Sequence, residues 1–185
     1  MLISKRYINM ITNNKYILAS SSASRQQILK KAGFIFKKVN PRCNEEEIKK
    51  EIKKRSTKPS FVAKQLSFEK AKSLSKTKKY FYNYVIGCDT LVFLNKTIFD
   101  KAKNMREAKQ KIKKLSGKKH KIVSALTICN EGKKIWQCSE TSEVSIRKLT
   151  NNQINEYLKL TGKKILNSVG CYQIEGLGPK IIEKI

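Results

Sequence analysis

The chain has 185 residues, with 41 Lys or Arg against 14 Asp or Glu and a formal net charge of +27. That length accommodates one domain with a real core, and its apolar runs fall far short of the roughly 20 residues that span a bilayer. The opening MLISKRYINMITNNK lacks both a continuous apolar stretch and a small-residue cleavage site, so no secretory signal is read and a cytoplasmic location is expected.

Of the basic residues 35 are Lys and 6 are Arg, and Ile (21) and Asn (13) are also abundant. All three favoured residues have A/T-rich codons, so base composition accounts for the profile without a ligand. Nucleic-acid sites favour Arg at base edges and aromatics among the basic residues; here lysines are spread over nearly every segment, and a solvated surface is the preferred reading. Such a field still attracts polyphosphates. The cysteines Cys43, Cys88, Cys129, Cys138 and Cys171 form no C-x-x-C pair, and His120 is the single histidine, so no zinc pattern exists. The thiols are read as buried or incidental, and His120, beside a basic turn, as structural.

In chain order, residues 1–15 read as an extension and 16–185 as a single domain. Tyr16–Ala19 reads as a strand running into Ser20, Ser21 and Ser22. A helix is predicted from Arg25 to Ala32, with Ser24 and Gln27 at capping-box spacing and Gly33 as its stop. Phe34–Val39 reads as a second strand. Helices follow over Glu45–Arg55, whose acids sit in the first turn, and Ser60–Ser75. Tyr84–Cys88 and Thr90–Leu94 read as two strands, with a turn at Asn95-Lys96. Asn104 and Glu107 open a helix with Ala108, Ile112 and Leu115 on one face. Lys121–Cys129 and Ile135–Arg147 read as strands around Glu131-Gly132. Thr150 and Gln153 open a last helix that ends near Gly162, and glycines punctuate the rest. The alternation implies an α/β domain with a mixed sheet.

Two segments suggest chemistry. Ser20 and Ser22 present hydroxyls and N–H groups at a helix N-terminus, with Arg25 on the first turn, which suits a phosphate; plain capping explains the serines equally well. In Val85–Thr90 an apolar strand ends at Gly87, and Asp89 then stands at a strand terminus. That is a usual place for a metal ligand or general base, or for a turn aspartate. Lys70 and Lys101 read by default as solvated.

Taken in order, I-L-A-S-S-S-A-S-R (17–25), F-E-K-A-K (68–72), V-I-G-C-D-T-L-V (85–92), D-K-A (100–102), L-S-G-K-K-H (115–120) and S-V-G-C-Y-Q-I-E-G-L-G (168–178) resemble the motifs of the Maf family of nucleotide pyrophosphatases, also named septum-formation inhibitors. The resemblance implies an α/β fold like that of inosine triphosphatases, with an elongated mixed sheet flanked by helices and a cleft between two lobes. It implies hydrolysis of canonical or modified nucleoside triphosphates to the monophosphate and pyrophosphate, with Mg²⁺ or Mn²⁺ as cofactor and a homodimer as assembly. By motif match Ser20, Ser22 and Arg25 would hold the triphosphate, Lys70 and Lys101 would neutralise it, and Asp89 would bind metal and act on water. Glu45 would assist with the metal, and Glu175 would bear on base preference. Carboxylates suit hard divalent ions, and phosphoryl chemistry needs this concentration of positive charge.

The departures are Ala23 and Ser24 where members often have Pro and Arg, Ala102 where Pro usually follows the lysine, and Glu175 where many have Gln. The chain also stops at Ile185, where members continue through a further strand and helix, so the C-terminal part is expected to be short. Two other readings stay open: a basic nucleic-acid-binding protein, or a division-control partner, on a degraded enzyme scaffold.

Overall fold

The structure, a computed structural model, describes residues 15–95 and 97–185. All of the expected N-terminal extension except Lys15 lies outside the described residues, as does Lys96 of the Asn95-Lys96 turn. The described residues form five α-helices and a mixed seven-stranded sheet in the order β2 (Lys37–Val39), β1 (Tyr16–Ala19), β3 (Tyr84–Leu94), β5 (Lys119–Asn130), β6 (Lys133–Ile146), β7 (Ile182–Lys184), with β4 (Thr97–Phe99) paired to β3. The chain divides into two compact units. The first holds the described residues up to Asp89 together with Ala125–Ser139, and the second holds Thr90–Ser124 and Glu140–Ile185.

In the first unit β1 (Tyr16–Ala19) lies between β2 (Lys37–Val39) and the start of β3 (Tyr84–Leu94), parallel to both. Helix α1 (Ala23–Lys31) links β1 to β2, while α2 (Glu45–Arg55) and α3 (Pro59–Ser75) lead on to β3. α1 begins two residues earlier than predicted because Ser22, not Ser24, is its cap, accepting from the Arg25 N–H. β2 is half its predicted length: β1 offers it only three partners, Ile17 to Ala19, so Phe34 to Phe36 have no ladder to join. The sheet buries Ile17, Leu18, Ala19, Val85 and Ile86. Against it α3 packs so closely that a Cβ at Gly87 would stand 2.1 Å from Ser67 O and 2.7 Å from Ala71 N. Only glycine fits there. A buried polar network lies alongside: Ser67 Oγ donates to Lys64 O and pairs with Thr127 Oγ1 at 2.7 Å, and Gln137 donates to both Thr127 and Lys64 O.

β3 is one continuous strand rather than the predicted pair. The polar step Asp89-Thr90 resembles a break, but there the strand changes neighbours instead of ending: its pairing with β1 stops at Gly87, and its pairing with β4 (Thr97–Phe99) begins at Val92.

The second unit is built on apolar packing. α4 (Met105–Leu115) buries the predicted face, Ala108, Ile112 and Leu115, and α5 (Asn151–Thr161) opens on the predicted Thr150–Gln153 capping box. These helices join Val92, Phe99, Val144, Ile146, Ile181 and Ile182 in one cluster of sixteen buried residues. β5 (Lys119–Asn130) and β6 (Lys133–Ile146) pass between the units and turn at Glu131 and Gly132, both at positive φ. β7 (Ile182–Lys184) pairs antiparallel with the end of β6. No helix of the described residues is long and apolar enough to cross a membrane.

Candidate active site

The chain leaves β1 through α1 to β2 on one side and returns through α2 and α3 to β3 on the other. Parallel strands whose connections diverge in this way leave a crevice at their carboxyl ends, the usual ligand position in such sheets. Because Ala19 is in register with Gly87, Ser20 leaves the end of β1 beside the stretch of β3 that carries Asp89.

On the β1 side the serine turn is ordered around its own hydroxyls. Ser20 is buried at 4 % exposure, and its Oγ accepts from Ser22 N–H at 3.2 Å and from Arg25 Nη1 at 3.3 Å. Those two contacts occupy the oxygen's lone pairs and leave its O–H as a donor. Ser22 caps α1, and Gln26 Nε2 donates to Ser22 O at 3.1 Å. The result is a helix start carrying hydroxyls, N–H groups and a guanidinium, with no acid in its first turn, the composition that suits a phosphate.

On the β3 side Lys70 is not solvated. It is 5 % exposed on α3, and its Nζ lies 2.7 Å from Asp89 Oδ1 and 2.8 Å from Glu45 Oε2. Asp89 is 7 % exposed and held rigidly on β3. Glu45, whose side chain is half exposed, is the first residue of α2 behind its cap Asn44. A buried ammonium without partners would be strongly disfavoured. Burial pulls the Lys70 ammonium down, but the attraction of Asp89 and then Glu45 outweighs it and leaves the group above the usual lysine range. Burial likewise pushes the Cys88 thiol up, while the charges of Arg25 and Lys70 pull the other way, so both halves of the site act on it.

Ser73, one turn beyond Lys70, belongs to none of the motifs singled out in the sequence. Its Oγ donates to Lys70 O at 2.8 Å and accepts from Arg42 N–H at 3.0 Å. It thereby fastens the segment before Glu45 to α3. Its only signal in the sequence is a hydroxyl three residues after Lys70.

Among the described residues no group of three or more His, Cys, Asp or Glu converges as a self-sufficient metal cage. Asp89 and Glu45 offer two hard carboxylates, which suits Mg²⁺ held jointly by one or two carboxylates and substrate phosphates. The donor set therefore fits a divalent ion that arrives with a triphosphate.

Lys101 and Glu175 lie in the second unit. Lys101 is exposed just after β4, where the preceding Asp100 carbonyl accepts from Lys111 Nζ. Glu175 is exposed in the glycine-punctuated stretch, where Gly176 and Gly178 N–H both donate to Gln173 O. His120 is structural: it is 2 % exposed, its Nε2 lies 2.5 Å from Tyr172 OH, and burial lowers it to about 4. The five cysteines are free thiols.

A family model described as Maf-like protein matches residues 15–185. The chain is 41% identical over 169 residues to a 7-methyl-GTP pyrophosphatase of Bartonella quintana, covering 91% of this chain and 83% of that protein. It is 34% identical over 168 residues to a nucleoside triphosphate pyrophosphatase of Caulobacter vibrioides, with 91% and 83% covered. Against a protein of the same description in Legionella pneumophila (strain Lens) the identity is 35% over 169 residues, with 91% and 82% covered. A family match over nearly the whole described chain, with relatives at 34–41% identity over 91% of it, shows that this chain belongs to the Maf family.

Proposed function

We propose that the chain hydrolyses nucleoside triphosphates between the α and β phosphates, releasing the monophosphate and pyrophosphate, and that its preferred substrate is 7-methyl-GTP. The observation that carries the reaction is the convergence, where β1 ends beside the middle of β3, of the Ser20–Ser22–Arg25 turn with the Lys70–Asp89–Glu45 cluster. Ser20 and Ser22 orient a phosphate through their hydroxyls, and Arg25 offers it a positive fork. Asp89 accepts a proton from the attacking water or orients it. Lys70 offsets the charge that develops on the phosphate oxygens. When bound, Mg²⁺ or Mn²⁺ on Asp89 and Glu45 would supply Lewis acidity toward those oxygens. Lys101 adds a further positive charge, carried over from its motif. The chain is in this reading a hydrolase acting on the cytoplasmic nucleotide pool, and its free thiols accord with a reducing compartment.

The base preference draws on the relatives, some of which are named for 7-methyl-GTP and others for nucleoside triphosphates in general. Methylation at N7 makes guanine cationic, and the Glu175 carboxylate is a suitable counter-charge, which the more common Gln would not be. The test is pyrophosphate release from 7-methyl-GTP, GTP, UTP and dTTP, with and without Mg²⁺ or Mn²⁺. One pyrophosphate per monophosphate, metal dependence and the highest kcat/KM for 7-methyl-GTP are expected. No release from any nucleotide would overturn the activity, and a higher kcat/KM for an unmethylated one would overturn the preference.

A further inference from the structure

The geometry of Lys70 sets two of its roles in competition. Its ammonium lies between Asp89 Oδ1 at 2.7 Å and Glu45 Oε2 at 2.8 Å. A divalent ion bridging these same two oxygens takes the place the ammonium holds. Charge points the same way. Two carboxylates and one ammonium leave one negative charge in excess. Adding a divalent ion reverses that sign close to Arg25, whose charge and that of Lys70 both act on Cys88. Ammonium and metal are both accommodated only once a polyanion is present to receive the lysine.

We propose that Lys70 is a built-in stand-in for the divalent cation: in the nucleotide-free chain it occupies the Asp89–Glu45 pair and excludes the metal, and it transfers to the phosphates when metal and triphosphate arrive together. This rests on the nucleotide reading of the site. The parts allow the exchange. Lysine carries its charge on a flexible four-carbon stem, Asp89 is fixed by β3, and Glu45 stands half exposed on the solvent side of the pair. Ser73 anchors the backbone of Lys70 and Arg42, so the lysine head can change partners while the segment leading to Glu45 stays in place.

The test needs no turnover. Mn²⁺ binding to the nucleotide-free chain is followed by electron paramagnetic resonance for the parent, Lys70→Gln, Lys70→Arg and Lys70→Gln with Asp89→Asn. Lys70→Gln should bind Mn²⁺ at least about tenfold more tightly than the parent, because a positive neighbour in contact with both ligands is gone. Lys70→Arg, which keeps that charge, should bind as weakly as the parent, and the double variant should lose the gain. Mn²⁺ should also raise the melting temperature of Lys70→Gln more than that of the parent. A folded Lys70→Gln chain that binds Mn²⁺ no better than the parent overturns the proposal. So does one that stays unfolded at saturating Mn²⁺, since an ion able to replace the ammonium would restore the pairing. If pyrophosphate is released but Lys70→Gln shows no gain, the stand-in role fails and the activity stands. Tighter Mn²⁺ binding without hydrolysis of any nucleotide supports the stand-in role and overturns the activity.

Discussion

The two units bury different things. Of the eight polar or charged residues buried among the described ones, seven lie in the first unit: Ser20, Ser67, Lys70, Ser73, Ser75, Asp89 and Thr127. The second unit buries His120 alone of this kind, and its core is a single apolar cluster. Apolar packing stabilises without directional demands, whereas buried polar groups must all be satisfied or they destabilise. The difference separates two tasks: the first unit holds charges out of water in a fixed arrangement, and the second provides packing that tolerates no such cluster.

That contrast can be broken by substitution. The largest effect on turnover is expected from Asp89→Asn, which removes the charge yet leaves Glu45 to pair with Lys70. Loss of a general base lowers rates by about 10²–10⁴-fold, and circular dichroism should show the fold retained. Activity within a few-fold of the parent would remove chemistry from this unit.

Gly87→Ala should be the most damaging small change to stability. The added Cβ meets backbone atoms of α3 at 2.1 and 2.7 Å, a clash only a shift of helix against strand can relieve, at about 3 kcal/mol or more. Gly33→Ala, at φ +79 with nothing within 4 Å, carries only backbone strain of about 1 kcal/mol. Urea unfolding of both variants checks the ranking, and equal losses would mean that the α3–β3 contact is not tight.

A pH series probes the one buried ionisable group of the second unit's core that titrates in the acid range. His120 falls from 6.5 to about 4 through burial. As pH drops between those values the unfolded chain takes up a proton that the folded chain refuses, so the stability present above pH 6.5 is progressively lost toward pH 4. The loss amounts to at most about 3 kcal/mol. A His120→Gln chain lacks this term, so its deficit against the parent should narrow on acidification; parallel curves would show that the histidine is not buried neutral. The smallest effect is expected from Glu175→Gln, which should lower kcat/KM for 7-methyl-GTP relative to GTP by about tenfold or less, an exposed charge being well screened. An unchanged ratio would show that Glu175 does not read the base.

How far the sequence alone reached follows from what each residue reports locally. Helix α2 was legible from the acids Glu45, Glu46 and Glu47 of its first turn, and α4 and α5 because Asn104 and Thr150 mark their starts through caps that depend on neighbours three residues away. α1 was misplaced because Ser22 and Ser24 are equally able caps, and the choice falls to where β1 ends. The break assigned inside β3 had the same origin: a change of strand partner is a tertiary event that the polar pair Asp89-Thr90 does not announce. Lys70 shows the limit most clearly. Among 35 lysines its burial between two carboxylates has no local signature, and only the order of motifs around it singled it out. The mutual pairing of Lys70, Asp89 and Glu45 could not be read from any spacing.

The chain passes between its two units at Asp89 to Thr90, Ser124 to Ala125 and Ser139 to Glu140, and each passage falls inside a strand, β3, β5 or β6. Separable modules are joined through exposed linkers, and this chain has none at those points. A recombination event at any of the three passages would sever a hydrogen-bonded ladder rather than a loop. The polar unit and the apolar unit are therefore inherited together and are not readily traded singly between genes.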